Sequence, residues 1–225
     1  GGQAADFGTV ESDDGKAAVD DVQQHGQVQV LVARVTDGRI EPGTRVRAAL
    51  SAPHRHDIAA NHTATHLLHY ALRTRLGKEV TQAGSSVRAD KLRFDFAYHE
   101  PLGARRLAEV EELVNRRIVE NHPVRTFTTT QDHAKDLGAM ALFGEKYDSR
   151  VRVVSVGNFS KELCGGTHVR NTGSIGLVKI TGESAIAAGI RRIEAVTASK
   201  AEEFVNSKLA SVDEIASLLK STGNI

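Results

Sequence analysis

The stretch Ile58-Ala-Ala-Asn-His62-Thr-Ala-Thr-His66-Leu-Leu-His-Tyr-Ala-Leu72 carries apolar residues or histidines three and four apart, at Ile58, Ala59, His62, His66, Leu67, Ala71 and Leu72. That period is helical and predicts a helix over residues 55–76, with Gly77 placed as its stop. Immediately afterwards the period changes. Leu92-Arg-Phe-Asp-Phe96 alternates, with Phe94 and Phe96 on one face and Arg93 and Asp95 on the other, so residues 80–98 read as strand. A buried helix against alternating strands points to an α+β class.

Upstream, residues 28–35 and 45–50 alternate as half-buried strands around a Glu41-Pro-Gly43 turn, which predicts a small N-terminal antiparallel β-barrel over residues 1–50. Downstream, residues 104–121 form an amphipathic helix with Leu107, Val110, Leu113, Val114, Ile118 and Val119 as its stripe, ended by Pro123. Residues 124–130 and 150–156 read as strands with a short helix at 132–137 between them, and residues 175–180 and 190–197 as a closing pair. From residue 200 a helix returns, apolar at Phe204, Leu209, Ile215, Leu218 and Leu219. Internal repeats and low-complexity tracts are absent.

A chain of 225 residues can bury roughly 70% of its unfolded surface, enough for a core without staples. Hydrophobic residues at 40% and charged residues at 25% exclude disordered, collagen-like and coiled-coil classes. A net charge of +1 excludes a uniformly basic nucleic-acid binder, though not local arginine patches. The one cysteine allows no internal disulfide, as suits a reducing compartment. No apolar run approaches the length of a membrane span, and the first ten residues carry no signal-peptide pattern. With Met140 as the one methionine, the chain reads as part of something longer.

His62 and His66 lie one helical turn apart, the spacing at which two imidazoles reach one ion. The cysteine supplies the other half: Cys164-Gly-Gly-Thr-His168 sets a thiolate and a third imidazole four residues apart across two glycines. Together they make a donor set of three nitrogens and one sulfur, suited to one Zn2+ per chain. Other histidines, including His54, His56, His69 and His133, read as surface or satisfied polar residues. Known zinc enzymes do not fit. The position after His62 is Thr63, where a metalloprotease helix carries glutamate, and the deaminase His-x-Glu with Pro-Cys-x-x-Cys does not occur. Four protein donors favour a structural ion.

His62-Thr-Ala-Thr-His-Leu-Leu68, Gln82-Ala-Gly-Ser85, Leu92-Arg-Phe-Asp-Phe96, Phe143-Gly-Glu-Lys-Tyr147, Val151-Arg-Val-Val154, Glu162-Leu-Cys-Gly-Gly-Thr-His168 and Gly189-Ile-Arg-Arg-Ile-Glu-Ala195 occur in this order. Together they resemble the editing domain of alanyl-tRNA synthetase and of related stand-alone editing proteins. Gly1-Gly-Gln-x-x-Asp-x-Gly8 resembles the small barrel that precedes that domain. The resemblance implies residues 1–50 as barrel, 51–198 as editing domain and 199–225 as a helical linker. It implies hydrolysis of tRNA for alanine mischarged with serine or glycine, and zinc on His62, His66, Cys164 and His168. The ATP-dependent aminoacylation site would lie in the rest of the parent synthetase, and the location would be cytoplasmic, without membrane or DNA partners. The editing module of threonyl-tRNA synthetase is a more distant resemblance, and the Cys-Gly-Gly-Thr-His form favours the alanyl type.

A second site has a physical purpose. A pocket for alanine rejects a substrate with one extra hydroxyl by only about 10²-fold, whereas a pocket built to bind that hydroxyl rejects its absence by about 10⁴–10⁵. Gln82 is the candidate reader of the serine hydroxyl, because its amide both donates and accepts. Backbone amides of Gly165 and Gly166 are candidates for holding the oxyanion of ester hydrolysis. Thr63 beside the histidines is a candidate substrate contact if it faces the pocket, and Arg191 and Arg192 are candidate phosphate contacts. Arg73, Arg75, Lys78, Arg88, Lys91 and Arg93 extend the basic set. Asp95 and Glu183 read equally well as salt-bridge partners, and no general base stands out. With 10 aromatic residues and no tryptophan, base stacking has little platform. Gly1-Gly-Gln3 also resembles the release-factor tripeptide, but the barrel context explains it better. The rival readings are a zinc-stabilised tRNA-binding module without catalysis, and a stand-alone deacylase acting in trans.

Overall fold

The structure, a computed structural model, describes residues 2–26, 28–141 and 148–219. The Phe143–Tyr147 part of the motif set lies outside the described residues. Within them run eleven strands, four α-helices and one 3-10 turn. They are β1 Gly8–Glu11, β2 Gly15–His25, β3 Val28–Gly38, β4 Arg47–Leu50, α1 Ala52–Leu76, β5 Gln82–Val87, β6 Leu92–Ala97, α2 Gly103–Val119, β7 Val124–Thr130, α3 Gln131–Asp136, β8 Arg150–Val156, β9 Ser160–Leu163, β10 Val178–Ala187, β11 Ile190–Thr197 and α4 Ala198–Leu218. Among the described residues, no helix is long and apolar enough to cross a membrane.

The α+β class holds, and the strands are antiparallel throughout three sheets. The expected closed barrel is not found among the described residues. The N-terminal strands form an open sheet in the order β3-β2-β1-β4, so β3 and β4 are its two edges. Alternation along residues 28–35 predicted a half-buried strand, yet every described residue of β3 is exposed, Val28, Leu31 and Val35 included. An edge strand with no layer over it has nothing to bury against; the sheet's own core is the small set Val10, Ala17 and Val19.

The main core lies between α1, α2 and a second sheet ordered β10-β11-β6-β5. Phe94 pairs across the ladder with Ile193, and both are fully buried against the helices with Phe96, Leu67, Leu68 and Leu72. On the far face Asp95 sits opposite Arg192, whose Nε and Nη2 donate to it at 2.7 and 2.9 Å. The third sheet, β7-β8-β9, packs α3 through Ala134, Val151, Val153 and Leu163. Strand β9, only four residues long and without a marked alternation, delivers the chain to Cys164. Residues 175–180 are not one strand either. Thr172–Ile175 close a 3-10 turn, held by the Thr172 hydroxyl donating to Arg117 O at 2.7 Å, and β10 starts at Val178.

Helix α1 is enclosed on nearly all sides, so its polar residues need partners. Asn61, fully buried, donates through Nδ2 to Arg88 O at 2.8 Å and accepts from Thr197 Oγ1 at 3.0 Å. It pins the helix, one residue before His62, to the β5–β6 turn and to the end of β11. The α4 stripe contrasts with this: Leu209, Ile215, Leu218 and Leu219 are exposed, and Ala201 is the helix's buried residue.

These environments set opposite costs for truncation. Phe94→Ala should destabilise the protein by about 3–5 kcal/mol in urea unfolding, whereas Leu218→Ala on the open α4 face should cost under about 0.5 kcal/mol.

Candidate metal centre

The four sequence-matched donors converge. Ligand atoms of His62, His66, Cys164 and His168 all lie within 4.8 Å of one another. Cys164 Sγ is 3.3 Å from His62 Nε2 and 3.5 Å from His168 Nε2. Donors around one tetrahedral Zn2+ stand roughly 3.3–3.6 Å apart, given bonds of about 2.0 and 2.3 Å. His66 Nε2 is buried and, among the described residues, forms no geometric hydrogen bond. An orphaned buried imidazole nitrogen beside a thiolate and two further imidazoles fits a zinc ion that would take up its lone pair.

Each histidine is held in the matching tautomer by its other nitrogen. His66 Nδ1 lies 2.9 Å from Glu162 Oε2, so it is the protonated donor. His168 Nδ1 meets Thr63 Oγ1 at 3.2 Å. That hydroxyl gives its hydrogen to Ala59 O and already accepts from Val169 N, which leaves His168 to donate. His62 Nδ1 meets Gln3 Oε1 at 2.7 Å. All three Nε2 atoms are thus left to bind metal, through a carboxylate, a hydroxyl and an amide set behind the ligands.

The residues that orient the site were not all legible beforehand. Glu162, 1% exposed, also receives His69 Nδ1 at 3.1 Å. His69, read as a surface or satisfied residue, is buried at 4% exposure on the face of α1 one turn beyond His66. Arg152 on β8 clamps the ligand turn, donating from Nη1 to Cys164 O and to Gly166 O, both at 2.7 Å. Thr63 is fully buried and its hydroxyl has its full set of partners within the protein.

The two glycines of the turn differ. A Cβ on Gly166 would come within 2.7 Å of Gln3 Oε1 and closer still to the His62 ring, while one on Gly165 would meet nothing within 4 Å. The Gly166 amide points at Cys164 Sγ, 3.5 Å away; that of Gly165 has no partner among the described residues. Gln82, half-buried on β5, donates through Nε2 to Ser85 Oγ at 3.3 Å, and its hydrogen bonds do not reach the four ligands. Arg191 is paired with Glu183 and Arg192 with Asp95. As neighbours on a strand they point to opposite faces.

Electrostatics match a site built for a cation. Burial opposes ionisation of Cys164, but the surrounding imidazoles of His168, His62 and His66 outweigh it and hold the thiol down to about 3. Burial likewise works against a charged His66, yet the Glu162 carboxylate, followed by the Cys164 sulfur, raises it to about 10. Burial would raise Glu162; His66 and then His69 push it well below the usual carboxylate range. Burial lowers His168 to about 4. Without metal, a proton on His66 therefore offsets one of the two buried anions, Glu162 and Cys164.

Two outcomes follow from this geometry. Gly166→Ala should weaken zinc binding at least about tenfold by displacing His62, while Gly165→Ala leaves zinc content unchanged by elemental analysis. Zinc must also displace the His66 proton. Because that pKa is raised to about 10, apparent affinity should climb about tenfold per pH unit from pH 6 to 8. A flat profile in chelator competition would show that no proton is displaced.

The chain is similar to known proteins. Residues 151–194, which run from β8 through Cys164 and His168 into β11, match the family described as threonyl and alanyl tRNA synthetase second additional domain. The chain is 50% identical over 220 residues to an alanine–tRNA ligase of Shewanella loihica, covering 98% of this chain and 25% of that protein. It is 48% identical over 223 residues to that of Rubrobacter xylanophilus (99% and 25%) and 49% over 221 residues to that of Shouchella clausii (98% and 25%). The chain thus spans about a quarter of the length of the curated relatives it matches, and its similarity to these alanine–tRNA ligases covers nearly all of its own length.

Proposed function

We propose that this chain hydrolyses the ester of tRNA for alanine mischarged with serine or glycine, after transfer, and spares alanyl-tRNA. The observation that carries this reading is the convergence of His62, His66, Cys164 and His168 within a segment matching alanine–tRNA ligases along its length. In this reading residues 1–50 form a small subdomain, 51–198 the editing domain and 199–225 a linker, with tRNA and the rest of a parent synthetase as cytoplasmic partners.

Zinc held by His62, His66, Cys164 and His168 would supply fixed positive charge at the site, and Lewis acidity only if one coordination position opened. The protein groups have their own roles. Gln82 Oε1 has no partner among the described residues, so it can accept a serine hydroxyl; alanine lacks that hydroxyl and would leave the amide unpaired. The exposed Gly165 amide is the free backbone donor for a developing oxyanion, with Gly166 turned toward sulfur and shaping the turn. Thr63 acts through His168 rather than on substrate.

For the acceptor end, Arg75, Lys78 and Arg88 are free of ion pairs among the described residues, which makes them the readiest phosphate contacts. Arg73, Lys91 and Arg93 already hold Val80 O, Glu194 and Asp95, and Arg191 and Arg192 would have to exchange their carboxylates for phosphate. The four-donor set, closed in the manner of a structural site, favours the second reading, a tRNA-binding module without catalysis.

Incubation with seryl-, glycyl- and alanyl-tRNA for alanine, with zinc quantified on the same sample, separates the two. Selective loss of serine and glycine at about one zinc per chain is the expected result. Bound zinc with all three esters intact would leave the binding module.

A further inference from the structure

We propose that Gln3 is a positioning residue of the metal centre, fixing His62 as an Nε2 ligand and thereby tying metal retention to the N-terminal segment. Its side-chain oxygen collects three donors: His62 Nδ1 at 2.7 Å, Thr167 N at 2.9 Å and Thr167 Oγ1 at 3.1 Å. A backbone N–H only donates, so the Gln3 atom facing Thr167 is the carbonyl oxygen. The same oxygen can then only accept from His62, whose Nδ1 must carry the hydrogen. The Nε2 lone pair is left facing Cys164 Sγ.

Nothing local holds Gln3 there; residues 59 and 164 positions away do. The segment lies along the free edge of β5, where Val87 N donates to Gly2 O at 2.7 Å and Ala4 N to Val87 O at 2.8 Å. Gln3 forms a parallel bridge with Val87. Gly2 takes φ 56° and presses so close to β5 that a Cβ would sit 2.6 Å from Ser85 O. A larger residue would lift the segment off the sheet and withdraw the Gln3 oxygen. On the other side, Gly166 keeps clear the space in which the oxygen and the His62 ring meet. The sequence feature that resembles a release-factor tripeptide is thus engaged inward, with its glutamine side chain behind a metal ligand.

This inference rests on the metal assignment of the proposed function and is independent of the reaction. Gln3→Met in the full chain keeps the volume and removes the acceptor. Gln3→Glu keeps an acceptor for all three donors. Zinc release to a chromogenic chelator and the visible spectrum of the Co2+ form report on the centre without any tRNA. Gln3→Met should bind zinc about 10–100-fold more weakly and alter the Co2+ ligand-field bands, with Gln3→Glu restoring both. If Gln3→Met fails to fold, Gln3→Asn, one methylene too short to reach, carries the test with the same expected loss. Equal zinc retention and spectra in the wild type and in Gln3→Met or Gln3→Asn would overturn the proposal, as would a loss in Gln3→Glu equal to that in Gln3→Met. Absence of zinc from the wild type would instead overturn the metal assignment.

Discussion

Glu162 is a carboxylate removed from water beneath a helix, and two imidazoles one turn apart on α1 make its burial tolerable. An isolated buried charge would be prohibitive, whereas one that is hydrogen-bonded and paired persists. This contact sets the distance and rotation between β9 and α1. Because β9 runs directly into Cys164 and α1 carries His62 and His66, one carboxylate brings the two halves of the donor set into register. Asn61 and Thr63 complete the job on the same helix, the first against the β5–β6 turn and the second against His168.

The pattern behind the ligands has a chemical logic. Carboxylate, amide and hydroxyl stand behind His66, His62 and His168 in falling order of negative charge, so each imidazole is oriented while only one formal charge is buried behind them. The Cys164 thiolate is the second anion, held by the imidazoles around it and by a turn that Arg152 braces through two carbonyls. A divalent cation neutralises that pair of anions, which a single proton on His66 does only in part.

Helical and alternating periods made α1, α2, β6 and β11 readable, and the four-residue spacings made the donors readable, because each depends on neighbours in sequence. Glu162 carries a sequence signal of its own: two residues before Cys164 in an extended segment, it shares that residue's side of the chain. His69 likewise follows His66 on the helix face. Gln3 offered no such signal, since its role depends on contacts across most of the chain. Closure of a barrel was equally out of reach, because alternation fixes which residues face together but not whether the outer strands meet. Residues 28–35 alternate as a half-buried strand would and residues 200–219 carry an apolar stripe, yet β3 is exposed throughout and α4 nearly so; burial depends on a covering layer that periodicity does not report.

The donors fall in two segments about a hundred residues apart, His62 and Cys164 being separated by 102 positions. In a zinc finger all ligands sit within one short hairpin and helix, and the ion nucleates a fold that does not exist without it. Here α2 and the strands β5 through β9 lie inside the ring that the ion would close. Joining such distant points carries a large loop-closure entropy until the intervening chain has collapsed. A metal held there would therefore come late in the folding order: it would fasten an architecture already assembled by the α1–α2 core, and its retention would record that the assembly was completed in the right register.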